Sequence, residues 1–229
     1  MRTRAILVGL SMALALAACA ADATPSPAPA CPSAPPTSVS AQATLEGAEL
    51  ATVTVSGYAE GEFAMELYGD QAPLATANFV ALARCGFYDG IKFHRVLAGF
   101  VVQAGDPTTE NEDGDFAGIG TGGPGYQFEI EPPADGLRYE PYAVAMANAA
   151  PAVPDSNGSQ FFITLDDLDD ALRQSGVYTI FGKVITGTDV VDTIATAPIT
   201  DPRGIPAAPI VIESIVISAA SSTEPSAGE

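Results

Sequence analysis

The chain has 229 residues, of which 47% are hydrophobic, which is enough apolar material for one sizeable core. It carries 28 acidic and 9 basic residues, so its formal net charge is −19 at pH 7. Such a surface repels phosphate groups, which argues against nucleic-acid binding and against a helix lying on anionic lipid. The simplest interpretation of the acidity is solubility outside the cell.

The first residues predict export. Arg2 and Arg4 precede an apolar run at 5–18 that is too short to span a bilayer comfortably, as in a secretory signal peptide. The run ends in Leu-Ala-Ala before Cys19, which resembles a bacterial lipobox. That resemblance implies a signal peptide at 1–18 and a lipid on the Cys19 thiol, anchoring the exported protein to the extracytoplasmic side of a bacterial membrane. The alternative is an ordinary signal peptide with an incidental cysteine.

Residues 19–44 are rich in Ala, Pro, Ser and Thr and are interpreted as a tether, because they hold too few large apolar side chains to fold. At ~3.1 Å per residue, such a tether reaches at most on the order of 80 Å. Cys31 lies in this tether and Cys85 lies beyond it. Outside the cytoplasm the two thiols are able to pair, but their spacing alone leaves the pairing open.

The folded domain is predicted at 45–218, with a mobile polar tail at 219–229. Residues 51–55 and 61–68 alternate apolar and polar side chains and predict a hairpin. Pro73 suits the start of a helix that ends before Gly86. Further patterns predict a short helical turn within 166–174, a helix at 188–194, and strands at 92–97, 100–103, 142–148, 160–165, 178–184 and 210–217. Many short strands with two substantial helices indicate a mainly β barrel or sandwich.

One stretch, 93–106, sets a single arginine and a single glutamine among apolar residues. Its two apolar runs meet at Gly99, which predicts two strands joined by a tight corner. In the second strand, alternation predicts that Phe100 and Val102 share one face and that Val101 and Gln103 share the other.

Five motifs occur in order along the chain: FHRVLAGFVVQAGDP, GTGGPGYQFE, AMANA, NGSQFFIT and FGKV. Together they resemble a cyclophilin-type peptidyl-prolyl cis-trans isomerase, from about residue 51 to residue 217. The resemblance implies a cyclophilin-like fold, mainly β, with a closed eight-stranded antiparallel barrel capped by two α-helices. It also implies an enzyme without cofactor or metal, acting as a monomer on proline-containing segments of exported or envelope proteins.

The chemistry of this reaction needs only positioned groups. Rotating an amide out of its plane costs ~18–20 kcal/mol, and X–Pro bonds interconvert over tens to hundreds of seconds. The twisted transition state localises a lone pair on the prolyl nitrogen. A guanidinium is able to hydrogen-bond to that nitrogen while an apolar pocket holds the proline ring.

Carried over position by position, the resemblance implies that Arg95 is the catalytic arginine and that Gln103 orients it and the substrate backbone. Asn148 would offer main-chain hydrogen bonds, Tyr178 stands where many members carry histidine, and an insertion leaves the alignment of Leu168 open. The full set of implied substrate-binding residues is Phe100, Val101, Ala147, Asn148, Gln160, Phe162, Leu168 and Tyr178. Inserts at 106–120, 151–155 and 169–175 change loops near the predicted groove.

Several of these residues have simpler interpretations. Arg95 could be a structural ion-pair arginine, and only its motif favours catalysis. His94, the sole histidine, is expected to be structural and hydrogen-bonded rather than catalytic. Core positions are expected for Phe93, Phe161 and Phe181.

Two departures from the family pattern bear on the binding of cyclosporin. The chain has no tryptophan, whereas cyclosporin-sensitive members use one beside the pocket, and Val101 replaces a methionine common in those members. Weak cyclosporin binding is therefore predicted.

Two other functions remain as alternatives. A cyclophilin fold could bind proline segments as a non-catalytic module or chaperone, although the joint presence of arginine, phenylalanine and glutamine favours the enzyme. A calcium-dependent envelope protein would depend on an acidic loop whose spacing does not match an EF-hand, so a solvated loop without metal is the simpler expectation. Its acidic residues are Glu110, Glu112, Asp113 and Asp115.

Overall fold

The computed structural model of the protein describes residues 28–110, 118–149, 153, 155–175 and 177–219. The predicted signal peptide at 1–18, Cys19 and nearly all of the predicted tail at 219–229 lie outside these residues. Within them, no helix has the length and apolar character needed to cross a bilayer. The strands are β1 (Leu50–Gly57), β2 (Gly61–Leu67), β3 (Arg95–Leu97), β4 (Val101–Ala104), β5 (Ala143–Met146), β6 (Phe161–Thr164), β7 (Ile180–Thr186) and β8 (Ile210–Ser218).

All eight strands form one antiparallel sheet in the order β3-β4-β6-β5-β7-β2-β1-β8. The predicted hairpin of β1 and β2 is confirmed, with Val53 opposite Phe63. The corner at Gly99 is also confirmed, because β3 and β4 pair on either side of it and Gly99 has a φ of 69°. The mainly β class is therefore correct.

The sheet is curled but open, so the prediction of a closed barrel is wrong. The edge strand β3 has only three residues, where a strand at 92–97 was predicted. The chain before it makes one isolated bridge to β8, between Lys92 and Val211. The outer edge of β3 is instead occupied by the connection before β8, because the Val96 amide donates to the Gly204 carbonyl at 2.7 Å.

Four α-helices surround the sheet in the described residues, where two substantial ones were predicted. They are α1 (Ser38–Leu45), α2 (Pro73–Arg84), α3 (Asp169–Ser175) and α4 (Thr188–Ala195), with a 3-10 turn at Pro107–Glu110. The helices at 73–84 and 188–195 and the short helix near 169 match the sequence-based expectation. Helix α1 does not.

Helix α2 begins at Pro73, as predicted, but its N-terminus depends on a distant residue. Ala72 precedes it and offers no side-chain cap. The Glu131 carboxylate fills that role, accepting hydrogen bonds from the Leu74 amide at 2.9 Å and the Ala75 amide at 2.8 Å. A carboxylate at this end is favourable because the first amides of a helix lack partners within the helix.

Helix α1 lies inside the segment that was interpreted as a tether. Its N-terminus is capped by Thr37 and Ser40 in a reciprocal capping box. Ala41 is fully buried, and the Arg84 guanidinium donates to the Thr44 carbonyl at 2.7 Å. The helix has mostly small residues and no apolar stripe, so its formation depends on contacts with α2 and on its cap rather than on periodicity.

A disulfide joins Cys31 to Cys85, with their Cα atoms 5.1 Å apart. This answers the question that the spacing left open. Together with α1 it holds the chain from about residue 31 against the end of α2. The packed region therefore extends N-terminal of the predicted boundary at 45 and overlaps the predicted tether at 19–44.

The two faces of the sheet each carry an apolar cluster. The main core lies on the inner face and includes Phe93, Phe161 and Phe181, each at most 1% exposed, as predicted. The outer cluster has a buried part of Val101, Tyr139, Ala145, Phe162, Leu172 and Ile180, and a partly buried part of Tyr68, Phe100, Leu137, Ala147, Leu168 and Tyr178.

Candidate active site

Strand register brings the predicted site residues onto the outer face. Arg95 lies opposite Gln103, Gln103 lies opposite Phe162, and Phe162 lies opposite Ala145. Directly opposed residues point to the same face of a sheet, and neighbouring strands are about 4.8 Å apart. Val101, two residues before Gln103, shares that face. Gln103 therefore lies between Arg95 and Phe162 in one row across three neighbouring strands.

A chain of hydrogen bonds runs from the arginine across two strands. Arg95 Nη1 donates to Gln103 Oε1 at 3.2 Å, and Gln103 Nε2 donates to Gln160 Oε1 at 3.0 Å. Gln160 Nε2 then donates to the Gly122 carbonyl at 2.9 Å. The side-chain amide of each glutamine accepts one hydrogen bond and donates another. This series of hydrogen bonds fixes the orientation of both glutamines and holds the Arg95 guanidinium against Gln103.

An apolar wall adjoins this polar chain. Val101 is 2% exposed and Phe162 is 5% exposed, so the two form its floor. Tyr178 packs edge-on against Phe162, with ring centroids 5.4 Å apart. The partly exposed members beside them, which a ligand could reach, are Phe100, Ala147, Leu168 and Tyr178.

Known proteins of one family resemble this chain over most of its length. The family model described as cyclophilin type peptidyl-prolyl cis-trans isomerase matches residues 50–217. The chain belongs to the cyclophilin-type isomerase family. This cyclophilin is 41% identical over 187 residues to the peptidyl-prolyl cis-trans isomerase A of Mycobacterium tuberculosis, covering 74% of the chain and 94% of the relative. It is 44% identical over 124 residues to isomerase B of Bacillus subtilis, covering 54% and 76%.

Solved structures give the same answer. A cyclophilin-type isomerase of Cryptosporidium parvum superposes with a TM-score of 0.63 at 34% identity, covering 75% of this chain and 98% of that one. A second structure of it, determined in the presence of the dipeptide Ala-Pro, gives 0.62 at 35% identity, covering 74% and 99%. This cyclophilin is thus a peptidyl-prolyl cis-trans isomerase, and its relatives do not favour the non-catalytic alternative.

Phe100 lies on the opposite face of the sheet from the one predicted. It was expected to share a face with Val102, but it lies in the turn before β4 rather than in the strand. Alternation does not extend into that turn. Phe100 therefore joins the outer cluster, whereas Val102 lies in the main core of this cyclophilin.

Asn148 and Ala147 follow β5 at the edge of the site. The Ala147 amide donates to the Gln160 carbonyl at 2.9 Å. The Asn148 side chain donates to Asn157 Oδ1 at 3.1 Å and to the Val177 carbonyl at 3.0 Å. The side-chain amide of Asn148 thus ties neighbouring segments together, while the predicted main-chain contact with a substrate stays a prediction.

Arg95 is the cation of the site and it is about half buried. Burial lowers the pKa of its guanidinium, and the neighbouring Tyr178 phenol partly offsets that effect. An arginine remains protonated at neutral pH under such conditions. The guanidinium is therefore a permanent hydrogen-bond donor.

Asp106 secures the glycine-rich segment that accepts the hydrogen bond from Gln160. Its side chain accepts from the Thr108 amide at 2.9 Å, the Thr108 hydroxyl at 2.7 Å, the Gly120 amide at 2.6 Å and the Gly122 amide at 3.3 Å. Burial by itself would raise the pKa of Asp106, but these hydrogen bonds outweigh it and lower the pKa. Sequence reasoning missed this role.

His94 directly precedes Arg95 in the chain and is buried at 5% exposure. Among the described residues neither ring nitrogen has a partner within normal hydrogen-bond geometry, and the nearest candidate is the Lys92 backbone carbonyl. Burial lowers its pKa, with smaller opposing contributions from Asp106 and the Lys92 carbonyl. The lowered pKa favours the neutral ring, consistent with a structural residue.

The acidic loop falls largely outside the described residues, since they include Glu110 but not the residues from 111 to 117. In the part of the chain that the structure describes, no three His, Cys, Asp or Glu side chains are grouped as metal ligands. The calcium hypothesis therefore gains no support from the described residues.

Proposed function

We propose that Arg95 is the catalytic residue of this isomerase and that Gln103 and Gln160 hold it in place. The observation that carries the proposal is the hydrogen-bond chain from Arg95 through Gln103 to Gln160, on the same sheet face as Phe162. Both glutamine side chains are engaged as donor and acceptor. Their orientation is thus set before a substrate arrives.

In this proposal the proline ring packs on Phe162 and Val101, with Phe100, Leu168 and Tyr178 around it and Ala147 and Asn148 along the substrate backbone. Arg95 donates a hydrogen bond to the prolyl nitrogen as the amide twists and its lone pair localises. That bond is stronger in the twisted state than in either planar isomer, so it lowers the barrier to rotation. The fixed ring lets the flanking chain turn about it.

Replacement of Arg95 tests the assignment. For Arg95→Ala we expect kcat/KM for an Ala-Pro peptide to fall by about 100-fold or more, because a preorganised donor is lost. Arg95→Lys should restore little of it, since an ammonium lacks the planar fork that matches this geometry. The measurement is exchange NMR or a protease-coupled assay.

Arg203→Ala is the matched control, because Arg203 is an exposed arginine that pairs with Asp201. It removes the same charge without touching the outer cluster. An Arg95→Ala enzyme with activity like that of this control would disprove the assignment.

We further propose that the enzyme is exported, lipid-anchored through Cys19 after removal of residues 1–18, and active as a monomer on proline-containing segments of exported or envelope proteins. The Cys31–Cys85 disulfide supports a location outside the cytoplasm, because such bonds persist mainly there. The structure of a relative determined with Ala-Pro supports the substrate class.

The anchor is tested by expressing the full chain and its Cys19→Ser variant in a bacterial host. We expect wild type in the detergent phase with acyl mass on the mature N-terminus, and the variant in the aqueous phase. Equal partitioning of the two proteins, without acyl mass, would show an ordinary signal peptide instead.

A further inference from the structure

One side of the proposed proline pocket lies on segments outside any strand ladder. Val101 and Phe162 belong to β4 and β6, whose pairing fixes them. Leu168 lies between β6 and α3, and Tyr178 lies just before β7. These two residues need another means of holding their distance from Phe162, because loop segments move more than paired strands.

Tyr139 supplies that connection. Its hydroxyl donates to the Tyr178 carbonyl at 2.7 Å and accepts from the Tyr178 amide at 3.2 Å. Its own carbonyl accepts from the Leu168 amide at 2.8 Å, and its ring packs edge-on against the Tyr178 ring at 6.5 Å. A single buried residue therefore holds both loop residues of the pocket.

Tyr139 is itself held rigidly. It is 1% exposed, and its amide donates to Asp169 Oδ1 at 3.2 Å. The Arg173 guanidinium donates to the same oxygen at 3.0 Å and to the Leu137 carbonyl at 2.8 Å, and its central carbon lies 5.8 Å from the Tyr139 ring centroid. Two residues of helix α3, Asp169 and Arg173, therefore hold Tyr139 in place.

We infer that Tyr139 is a positioning residue that sets the width of the proline pocket by fixing Tyr178 and Leu168 relative to Phe162. The inference rests on the proposed site. Tyr139 has no hydrogen bond to the chain from Arg95 to Gln160, so it should act on how well the proline ring is held and not on the rotation step. Its loss should affect ground-state and transition-state binding alike.

Tyr139→Phe tests this, because it keeps the ring and removes only the hydroxyl. We expect KM for an Ala-Pro peptide to rise about fivefold, with kcat within about twofold of wild type. The amide proton of Tyr178 should shift in the ¹H–¹⁵N spectrum, since it loses its acceptor. Arg173→Ala is a second variant at an exposed position, and it should raise KM about twofold.

Tyr88→Phe is the matched control. Tyr88 is also fully buried, and its hydroxyl donates to a backbone carbonyl, that of Ser159, at 3.1 Å, but its ring lies in the main core. An equal rise of KM in Tyr88→Phe, or an unchanged KM in both Tyr139→Phe and Arg173→Ala, would overturn the inference. Loss of kcat in Arg95→Ala tests the site separately, so the two failures are distinguishable.

Discussion

At the residue scale, the site depends on the two-residue period of a strand. Val101 and Gln103 point outward while Val102 points into the core, so one short strand contributes to both the pocket and the core. Gln103 stands opposite Arg95 because of the β3–β4 register. The outward positions of Val101 and Gln103 thus place an apolar side chain and the hydrogen-bond partner of Arg95 on the same face of the sheet.

Asp106 links pH to stability through the glycine-rich segment. Its folded-state pKa lies below the ordinary value of 3.8, so its ionised form is favoured by folding. The resulting stability is fully present above that ordinary value and is lost as the pH falls through the lowered pKa. We expect Asp106→Asn to lower the free energy of unfolding by about 1–3 kcal/mol at pH 7.

Urea unfolding at pH 7, 4 and 3 measures this effect, and the difference between wild type and Asp106→Asn should shrink at the lowest pH. Asp135→Asn is a suitable control, since Asp135 is exposed. A difference that stays constant with pH would show that the carboxylate charge is not responsible.

Val101 and the lack of tryptophan predict weak cyclosporin binding. A tryptophan beside the pocket would bury roughly 150–250 Å² against a bulky ligand, and this chain has none. We expect half-inhibition of isomerase activity only above about 1 μM cyclosporin, and Val101→Met should tighten binding. Nanomolar inhibition of wild type would contradict this prediction.

At the element scale, paired strands form one side of the candidate site and connecting segments form the other. β3, β4 and β6 provide the arginine, glutamine and pocket floor, whose relative positions follow from the register. The segments before β5 and β7 and before α3 provide the opposite wall and depend on side-chain hydrogen bonds such as those of Tyr139. Variation in those segments can change substrate preference while the arginine stays in place.

Helix α1 and the Cys31–Cys85 disulfide form a clamp on the end of α2. We expect the double variant Cys31→Ser, Cys85→Ser to lose about 2–4 kcal/mol of stability, because the crosslink closes a loop of 54 residues in the unfolded chain. Amide exchange in α1 should accelerate, whereas kcat/KM should stay at the wild-type value, since the clamp residues lie outside the outer cluster.

Denaturant unfolding with and without a reductant checks this expectation. Wild type under reducing conditions should unfold like the double variant, and the variant should not respond to the reductant. Wild-type protein that is insensitive to the reductant would show that the disulfide does not stabilise the fold.

At the scale of the whole molecule, one antiparallel sheet carries an apolar cluster on each of its faces. The inner face buries the main core and the outer face carries the site. The sheet stays open because β3 is short and its outer edge is covered near Gly204. Arg95 therefore lies in an edge strand with a partly exposed side chain, as the proposed role requires.

The sequence by itself determined the mainly β class, most of the elements and the set of residues around Arg95, because strand alternation, helix-start signals and ordered motifs are local features. Only the tertiary structure decided the open sheet, the helix α1, the disulfide and the helix cap from Glu131, since each depends on groups far apart in the chain. The same holds for Asp106 and Tyr139. The Gly120 and Gly122 amides that bind Asp106, and the Tyr178 backbone that binds Tyr139, are well separated from them along the chain, and only folding brings them within reach.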